Sequence, residues 1–217
     1  MKSTPRILKK IPPLHDIKQS YPGIKGLFFD MDGTLFNTEP LHTKALLKIG
    51  EKYNILPPYP VDVVHEMLVG KADHLLFEII QEWPGMPQNW SVDDFVKEKN
   101  LNVIELITNT PRSHYLPSEI SSLIQNAYDE GFLLALVTSS EKIVTERLLE
   151  ISGLEQYFQI ILTRDDCPKH KPDPWPYLKA IELSKLKNDE IIIFEDSSVG
   201  LDSATSSAHH VIKVEWY

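Results

Sequence analysis

The chain has 217 residues, 42% of them hydrophobic and 24% charged, which is ordinary for a globular protein and excludes a disordered or fibrous one. The formal net charge of −9 repels polyphosphate backbones and argues against a nucleic-acid partner. Cys167, the single cysteine, excludes an internal disulfide and a multi-cysteine zinc site, and no apolar run is long enough for a membrane span, so we expect a cytoplasmic protein without a membrane partner.

The first predicted segment, residues 1–23, is basic and contains several prolines. It lacks the continuous apolar stretch that a secretory signal peptide requires. We therefore interpret it as an N-terminal extension.

The first predicted strand, GLFFD (26–30), ends in a carboxylate, and Asp32 adds a second one. Two like charges at a strand end repel each other unless a cation, a proton or a substrate resolves the repulsion. Gly33 allows the sharp backbone turn that would keep both aspartates in one place. The pair therefore indicates a functional site.

Residues from about 40 to 110 show a helical pattern of apolar positions. Ser91 and Asp94 are spaced as a capping box at the start of the last predicted helix. Because this interval interrupts the alternation of strands and helices, we expect a small helical domain inserted after the first strand. The predicted helices are EPLHTKALLKIGEKY, VDVVHEMLVG, ADHLLFEIIQEW and SVDDFVKEKNLNVIELI.

In the rest of the chain, short apolar runs alternate with helical stretches. The runs are apolar on both faces, which favours parallel strands covered by helices. SSEKIVTERLLEISG is a predicted helix that ends at Gly153, and PDPWPYLKAIELSKL is a second one. The pattern predicts the α/β class with a doubly wound parallel sheet. Its further strands are FLLALVT (132–138), QIILT (159–163), EIIIFED (190–196) and HVIKV (210–214).

Ligands of such sheets bind at the carboxyl ends of the strands, where Asp30 and Asp32 lie. Asp30 can act as a nucleophile towards a phosphoryl group if a divalent cation neutralises part of the charge. Asp32 can exchange a proton with the leaving oxygen. The two carboxylates are therefore candidates for two different roles.

Phosphoryl transfer needs further groups, and the other strand ends supply them. The Thr138 hydroxyl and the backbone N–H of Ser139 can hold phosphate oxygens, and Lys171 can supply a fixed cation. Asp196, helped by Glu195, offers the oxygen ligands that Mg²⁺ prefers.

Four stretches together resemble, in order and spacing, the motifs of the haloacid dehalogenase superfamily, from about residue 24 to the end. The stretch DMDGTLFNTEPLH and the insertion after it are similar to the branch with a helical cap, which includes sugar-phosphate phosphatases, phosphoglycolate phosphatase, pseudouridine-5′-phosphatase and β-phosphoglucomutase. The four stretches are DMDGT (30–34), ALVTSS (135–140), KPDP (171–174) and IIFEDSSVG (192–200).

The resemblance implies a Rossmann-like core domain formed by residues 24–39 and 111–217, with a helical cap domain at 40–110. It implies that Asp30 is the nucleophile, Asp32 the acid/base and Thr138 and Lys171 phosphate-binding residues. Mg²⁺ is then bound by Asp30, the backbone carbonyl of Asp32 and Asp196, with Glu195 near the metal. Within the cap, the candidates for substrate contacts are His42, Lys71 and Lys99.

The expected activity is therefore Mg²⁺-dependent hydrolysis of a phosphate monoester of a small metabolite, by a monomer or homodimer. Family dehalogenases lack the second aspartate, so Asp32 favours phosphate-ester chemistry. β-Phosphoglucomutase relatives carry a cap arginine near the position of Asp73, and an acidic residue there favours hydrolysis over transfer. A hexose-phosphate mutase and a non-catalytic phosphate-binding protein are the alternatives.

The chain departs from the family pattern after HVIKV (210–214), where relatives continue with a further strand and helix. An uncovered sheet edge is prone to pairing with other chains. We therefore expect either a second copy of the chain or the basic N-terminal extension to cover it.

Overall fold

Six parallel strands form a single sheet in a computed structural model that describes residues 5–60, 63–64, 67, 73–208 and 210–217. The strands are β1 (Arg6–Leu8), β2 (Gly26–Phe29), β3 (Leu133–Val137), β4 (Ile160–Leu162), β5 (Ile191–Glu195) and β6 (His210–Val214). Their spatial order is β1-β6-β5-β2-β3-β4, and all five neighbouring pairs are parallel. Every strand predicted from the sequence is present within a residue or two of its expected bounds.

Within the described residues, eight α-helices connect or flank these strands. They are α1 (Leu14–Ser20), α2 (Glu39–Tyr53), α3 (Asp73–Ile80), α4 (Val92–Asn109), α5 (Ser118–Asp129), α6 (Lys142–Ser152), α7 (Trp175–Ser184) and α8 (Ser198–Thr205). Helix α6 ends at Gly153, whose φ of 71° is left-handed, as predicted. The parallel sheet with crossover helices confirms the predicted α/β class.

The sheet is buried because its strands are apolar on both faces. Phe28 of β2, Val137 of β3 and Ile193 of β5 lie on one face of the sheet and pack in one cluster with Tyr177 and Ala180 of α7. Successive side chains of a strand point to opposite faces, so the intervening residues line the other face. The apolar runs therefore place the polar strand ends at one edge of a rigid core.

The N-terminal segment supplies a strand that was not predicted. β1 pairs with β6 in parallel, with Arg6 opposite Ile212, and the Glu215 N–H donates to the Leu8 carbonyl at 2.8 Å. Of the two expected ways to cover the β6 edge, the structure therefore shows the N-terminal extension. None of the described helices combines the length and the hydropathy needed to cross a bilayer.

The chain divides into two units, which are described separately. The core unit comprises Met1–Asn37 and Pro111–Tyr217, and the helical unit comprises Thr38–Thr110. In the helical unit, α2 packs against α4, and α4 begins with the predicted capping box of Ser91 and Asp94. The predicted helix VDVVHEMLVG lies largely outside the described residues.

Candidate active site

A tight turn at the carboxyl end of β2 carries the first two candidate residues. The Asp30 N–H donates to the Phe194 carbonyl at 3.0 Å, which extends the pairing with β5 by one residue. The Gly33 N–H donates to the Phe36 carbonyl at 2.8 Å, and the Phe36 N–H donates to the Met31 carbonyl at 3.0 Å. These bonds hold the two aspartates on a fixed backbone loop.

Gly33 is required by this turn for two reasons. Its φ of 82° is left-handed, and a Cβ built on it would overlap the Asp196 carboxylate. Thr34, the next residue, donates from its hydroxyl to Asp196 Oδ1 at 3.1 Å. The turn after β2 therefore holds the carboxylate that follows β5.

Lys171 connects three strand ends. Its Nζ donates to Asp30 Oδ1 and Glu195 Oε1, both at 2.6 Å, and to the Val137 carbonyl at 2.8 Å. The side chains of Lys171 and Glu195 are 4% and 0% exposed, so these charges are desolvated. Such a buried ammonium is held in place by its acceptors, because moving it would leave them unpaired.

Tyr177 of α7 completes this buried group, a contact that the sequence did not predict. Its hydroxyl donates to Glu195 Oε1 at 2.7 Å, and Lys171 Nζ lies 4.9 Å from the centre of its ring. Glu195 also occupies the space beside Gly200, where a Cβ would overlap its carboxylate. Glu195 is therefore fixed by its neighbours on several sides.

The pKa values of the site reflect burial first and the proximity of other carboxylates second. Burial raises the pKa of Asp30 well above its usual value; Lys171 lowers it, and the neighbouring carboxylates raise it further. Burial also raises the pKa of Asp196 to about 6, and Glu195 adds to the shift. Burial alone would lower the pKa of Lys171, but Asp30 and Glu195 outweigh it and raise the pKa, so Lys171 stays charged.

This acidic cluster fits a divalent cation. Asp30, Glu195 and Asp196 each offer an oxygen, and the three oxygens lie within 4.8 Å of one another. When all three carboxylates are ionised, they and the ammonium of Lys171 have a net charge of −2, which a divalent ion would balance. Carboxylate oxygens are also the ligands that hard divalent ions prefer.

The loop after β3 brings Thr138 and Ser140 into the same edge of the sheet. Thr138 is buried, and its hydroxyl oxygen accepts from the Ser140 N–H at 3.0 Å, while Ser139 is exposed. Ser140 Oγ donates to Asp32 Oδ2 at 2.6 Å. The motif ALVTSS contains both Ser139 and Ser140, and no pattern in the sequence indicates that Ser140 contacts Asp32.

Three candidates for substrate contacts belong to the helical unit. His42 is partly buried in the first turn of α2, and Lys71 lies outside the described residues. Lys99, a candidate substrate contact, is buried and forms an ion pair with Asp73. That pair neutralises Asp73, the acidic residue that was expected to favour hydrolysis over transfer.

The fold and the site together define a class: an α/β hydrolase-like core in which a carboxylate at a strand end is paired with a buried lysine and surrounded by further carboxylates. Residues 27–214 match the model of the haloacid dehalogenase-like hydrolase family. The chain belongs to this family, which confirms the resemblance predicted from the four motifs.

Relatives with named activities are similar over most of their length. A phosphorylated carbohydrates phosphatase of Thermotoga maritima is 29% identical, with 85% of this chain and 82% of that protein covered. A fructose-1-phosphate phosphatase of Escherichia coli is 24% identical, with 89% and 98% covered. The crystal structure of CbbY from Rhodobacter sphaeroides in complex with phosphate shares the fold, with a TM-score of 0.72, 23% identity and 85% and 84% coverage.

Proposed function

We propose that the protein is a Mg²⁺-dependent phosphatase that hydrolyses a phosphate monoester of a small metabolite, a sugar phosphate or similar compound, through an aspartyl-phosphate at Asp30. The observation that carries the proposal is the pairing of Asp30 with the buried Lys171 in a cluster of carboxylates at the strand ends. Relatives named as phosphatases of phosphorylated carbohydrates and of fructose 1-phosphate support the substrate class.

The residues that would hold Mg²⁺ are Asp30, Asp196 and the backbone carbonyl of Asp32, with Glu195 beside them. A bound Mg²⁺ supplies neutralisation of the negative charge on the carboxylates and on the phosphoryl oxygens. The net charge of −2 of the ionised carboxylates and Lys171 supports a divalent rather than a monovalent ion.

In the first step, the Asp30 carboxylate attacks phosphorus, an Asp30–phosphorus bond forms, and the ester oxygen–phosphorus bond breaks. Asp32, as the carboxylic acid, gives its proton to the departing oxygen. Lys171, the Thr138 hydroxyl and the Ser139 N–H hold the phosphoryl oxygens. The Thr138 oxygen already accepts a bond from Ser140, so its own proton can be donated to phosphate.

In the second step, Asp32 takes a proton from water, and the water oxygen attacks phosphorus. The bond to Asp30 breaks, inorganic phosphate leaves, and the carboxylate is restored. Ser140 holds one oxygen of Asp32 at 2.6 Å, which orients the carboxyl group for both proton transfers.

Residues 40–110 serve in this proposal as a cap domain that excludes bulk water and contacts the substrate through His42 and Lys71. The protein acts as a monomer or homodimer on a small phosphorylated metabolite in the cytoplasm, without a nucleic-acid or membrane partner. The net charge of −9 and the single cysteine support this setting.

The test is release of inorganic phosphate from sugar phosphates, phosphoglycolate and nucleoside monophosphates, with Mg²⁺ or with EDTA. We expect metal-dependent release from one or a few compounds, abolished by Asp30→Asn without unfolding. Asp129→Asn, an exposed aspartate of α5, is the matched control and should retain full activity.

Near-normal activity of the Asp30→Asn variant would refute the mechanism. No release from any compound would contradict hydrolysis and favour the mutase, which needs a bisphosphate primer and releases little phosphate. Failure of the primed reaction as well would favour a non-catalytic phosphate-binding protein.

A further inference from the structure

Two consecutive aromatic residues that follow β6, Trp216 and Tyr217, donate hydrogen bonds to the turn that carries Asp30 and Asp32. Trp216 Nε1 donates to the Thr34 carbonyl at 2.9 Å, and the Tyr217 hydroxyl donates to the Leu35 carbonyl at 2.6 Å. We call these two residues the aromatic brace. Thr34 and Leu35 are both fully buried, so the loss of either donor leaves a buried carbonyl oxygen without that partner.

Trp216 of the brace also packs against the strands that end in the site. The Trp216 ring lies 6.4 Å from the Phe194 ring, and Phe194 stacks on Phe29 with ring centres 4.8 Å apart and planes 8° from parallel. Phe29 directly precedes Asp30, and Phe194 directly precedes Glu195. A row of three rings therefore joins the brace to two strand ends that carry carboxylates.

Thr34 contacts both the brace and Asp196. Its carbonyl oxygen accepts from Trp216, while its hydroxyl donates to Asp196 Oδ1 at 3.1 Å. Glu215, the residue before the brace, donates its N–H to the Leu8 carbonyl of β1, which anchors the backbone that leads into the brace. A fixed path of contacts thus runs from β1 through the brace to a carboxylate of the acidic cluster.

We propose that Trp216 and Tyr217 are positioning residues that hold the Thr34–Leu35 backbone and, through Thr34, set the Asp196 carboxylate for metal binding. The part concerning Mg²⁺ rests on the proposed function. The part concerning the turn does not, and it can be measured in the metal-free protein.

Two variants remove a single donor each and keep an aromatic ring. Tyr217→Phe removes only the hydroxyl, and Trp216→Phe removes the indole N–H. Tyr128→Phe is the matched control, because Tyr128 belongs to the core unit, is 42% exposed against 43% for Tyr217, and keeps its ring contact with Tyr157 as phenylalanine.

The first measurement is amide hydrogen exchange of the turn, residues 31–36, in the full chain with EDTA. We expect exchange to accelerate about fivefold in each brace variant and not in Tyr128→Phe, because one hydrogen bond from the brace to a carbonyl of the turn is lost. Equal acceleration across β2 and β5 would indicate general loosening and would overturn the proposal, as would wild-type exchange in the double variant. If Trp216→Phe does not fold, the exchange rates of Tyr217→Phe alone decide whether the brace holds the turn.

The second measurement is Mg²⁺ affinity by calorimetric titration without substrate. We expect about tenfold weaker binding in Trp216→Phe, the lower end of the range for residues that orient metal ligands. Unchanged affinity in that variant would overturn the link to Asp196. A wild-type protein that binds Mg²⁺ but releases no phosphate would refute the proposed phosphatase, while both measurements would still test the brace.

Discussion

Removal of the Lys171 ammonium should destabilise the metal-free protein severely. Lys171→Met keeps most of the side-chain volume but leaves Asp30 and Glu195, both 2.6 Å from Nζ, without their shared cation. Removing one partner of a buried ion pair costs about 3–5 kcal/mol. For a chain of this length, that loss corresponds to a decrease in Tm of about 6–20 °C.

The assay is differential scanning calorimetry in EDTA, with Lys169→Met as the control. Lys169 is exposed, and its Nζ lies 3.3 Å from Asp173, so loss of this surface pair should cost less than about 1 kcal/mol. Adding Glu195→Gln to Lys171→Met should recover about 0.5–3 kcal/mol, because one uncompensated charge is removed. A Lys171→Met protein that melts within 2 °C of the wild type, about the effect of 1 kcal/mol or less, would refute the reasoning.

Three further predictions concern other contacts of the core unit. Ser140→Ala should lower kcat about tenfold with little change in KM, because Asp32 loses its orienting bond; unchanged steady-state kinetics would contradict this role. Gly200→Ala should lower the free energy of unfolding in urea by about 1–3 kcal/mol, since a Cβ overlaps the Glu195 carboxylate, whereas Gly50→Ala, with open space around it, should be neutral or stabilising. Burial raises the pKa of Cys167 to about 11, so about one thiol in a thousand is ionised at pH 8. Iodoacetamide should therefore label Cys167 slowly, and the rate of labelling should increase as the pH rises. Rapid labelling of the native protein would refute the burial of this thiol.

The sheet could be predicted from the sequence because its strands are continuous apolar runs. β1 could not, since Arg6–Leu8 is only three residues long and is followed by two lysines. Nothing local specifies such a strand, and its hydrogen bonds with β6 depend on tertiary pairing across most of the chain. Such a short edge strand can be recognised only once the position of its neighbouring strand is known.

The candidate site was predictable to the extent that parallel strand ends meet at one edge. That rule alone brings together Asp30 and Asp196, which are more than 160 residues apart, whereas Lys171 lies in the loop after β4 and was assigned with the help of the four motifs. The hydrogen bonds of Ser140 and Tyr177 could not be predicted, because they depend on the course of a loop and on the angle of a helix. Lys99 could not be assigned from sequence either, since its pairing with Asp73 requires the packing of two helices.

The point where the helical unit is inserted has a consequence for protein engineering and for recombination between genes. The Asn37 N–H donates to the Tyr115 carbonyl at 2.8 Å, and the Phe36 and Tyr115 rings lie 6.3 Å apart, all within the core unit. The polypeptide therefore leaves the core and returns to it at nearly the same spot. A linker of a few residues could close the gap after excision of Thr38–Thr110, and a different insert could be grafted there without disturbing the strand ends.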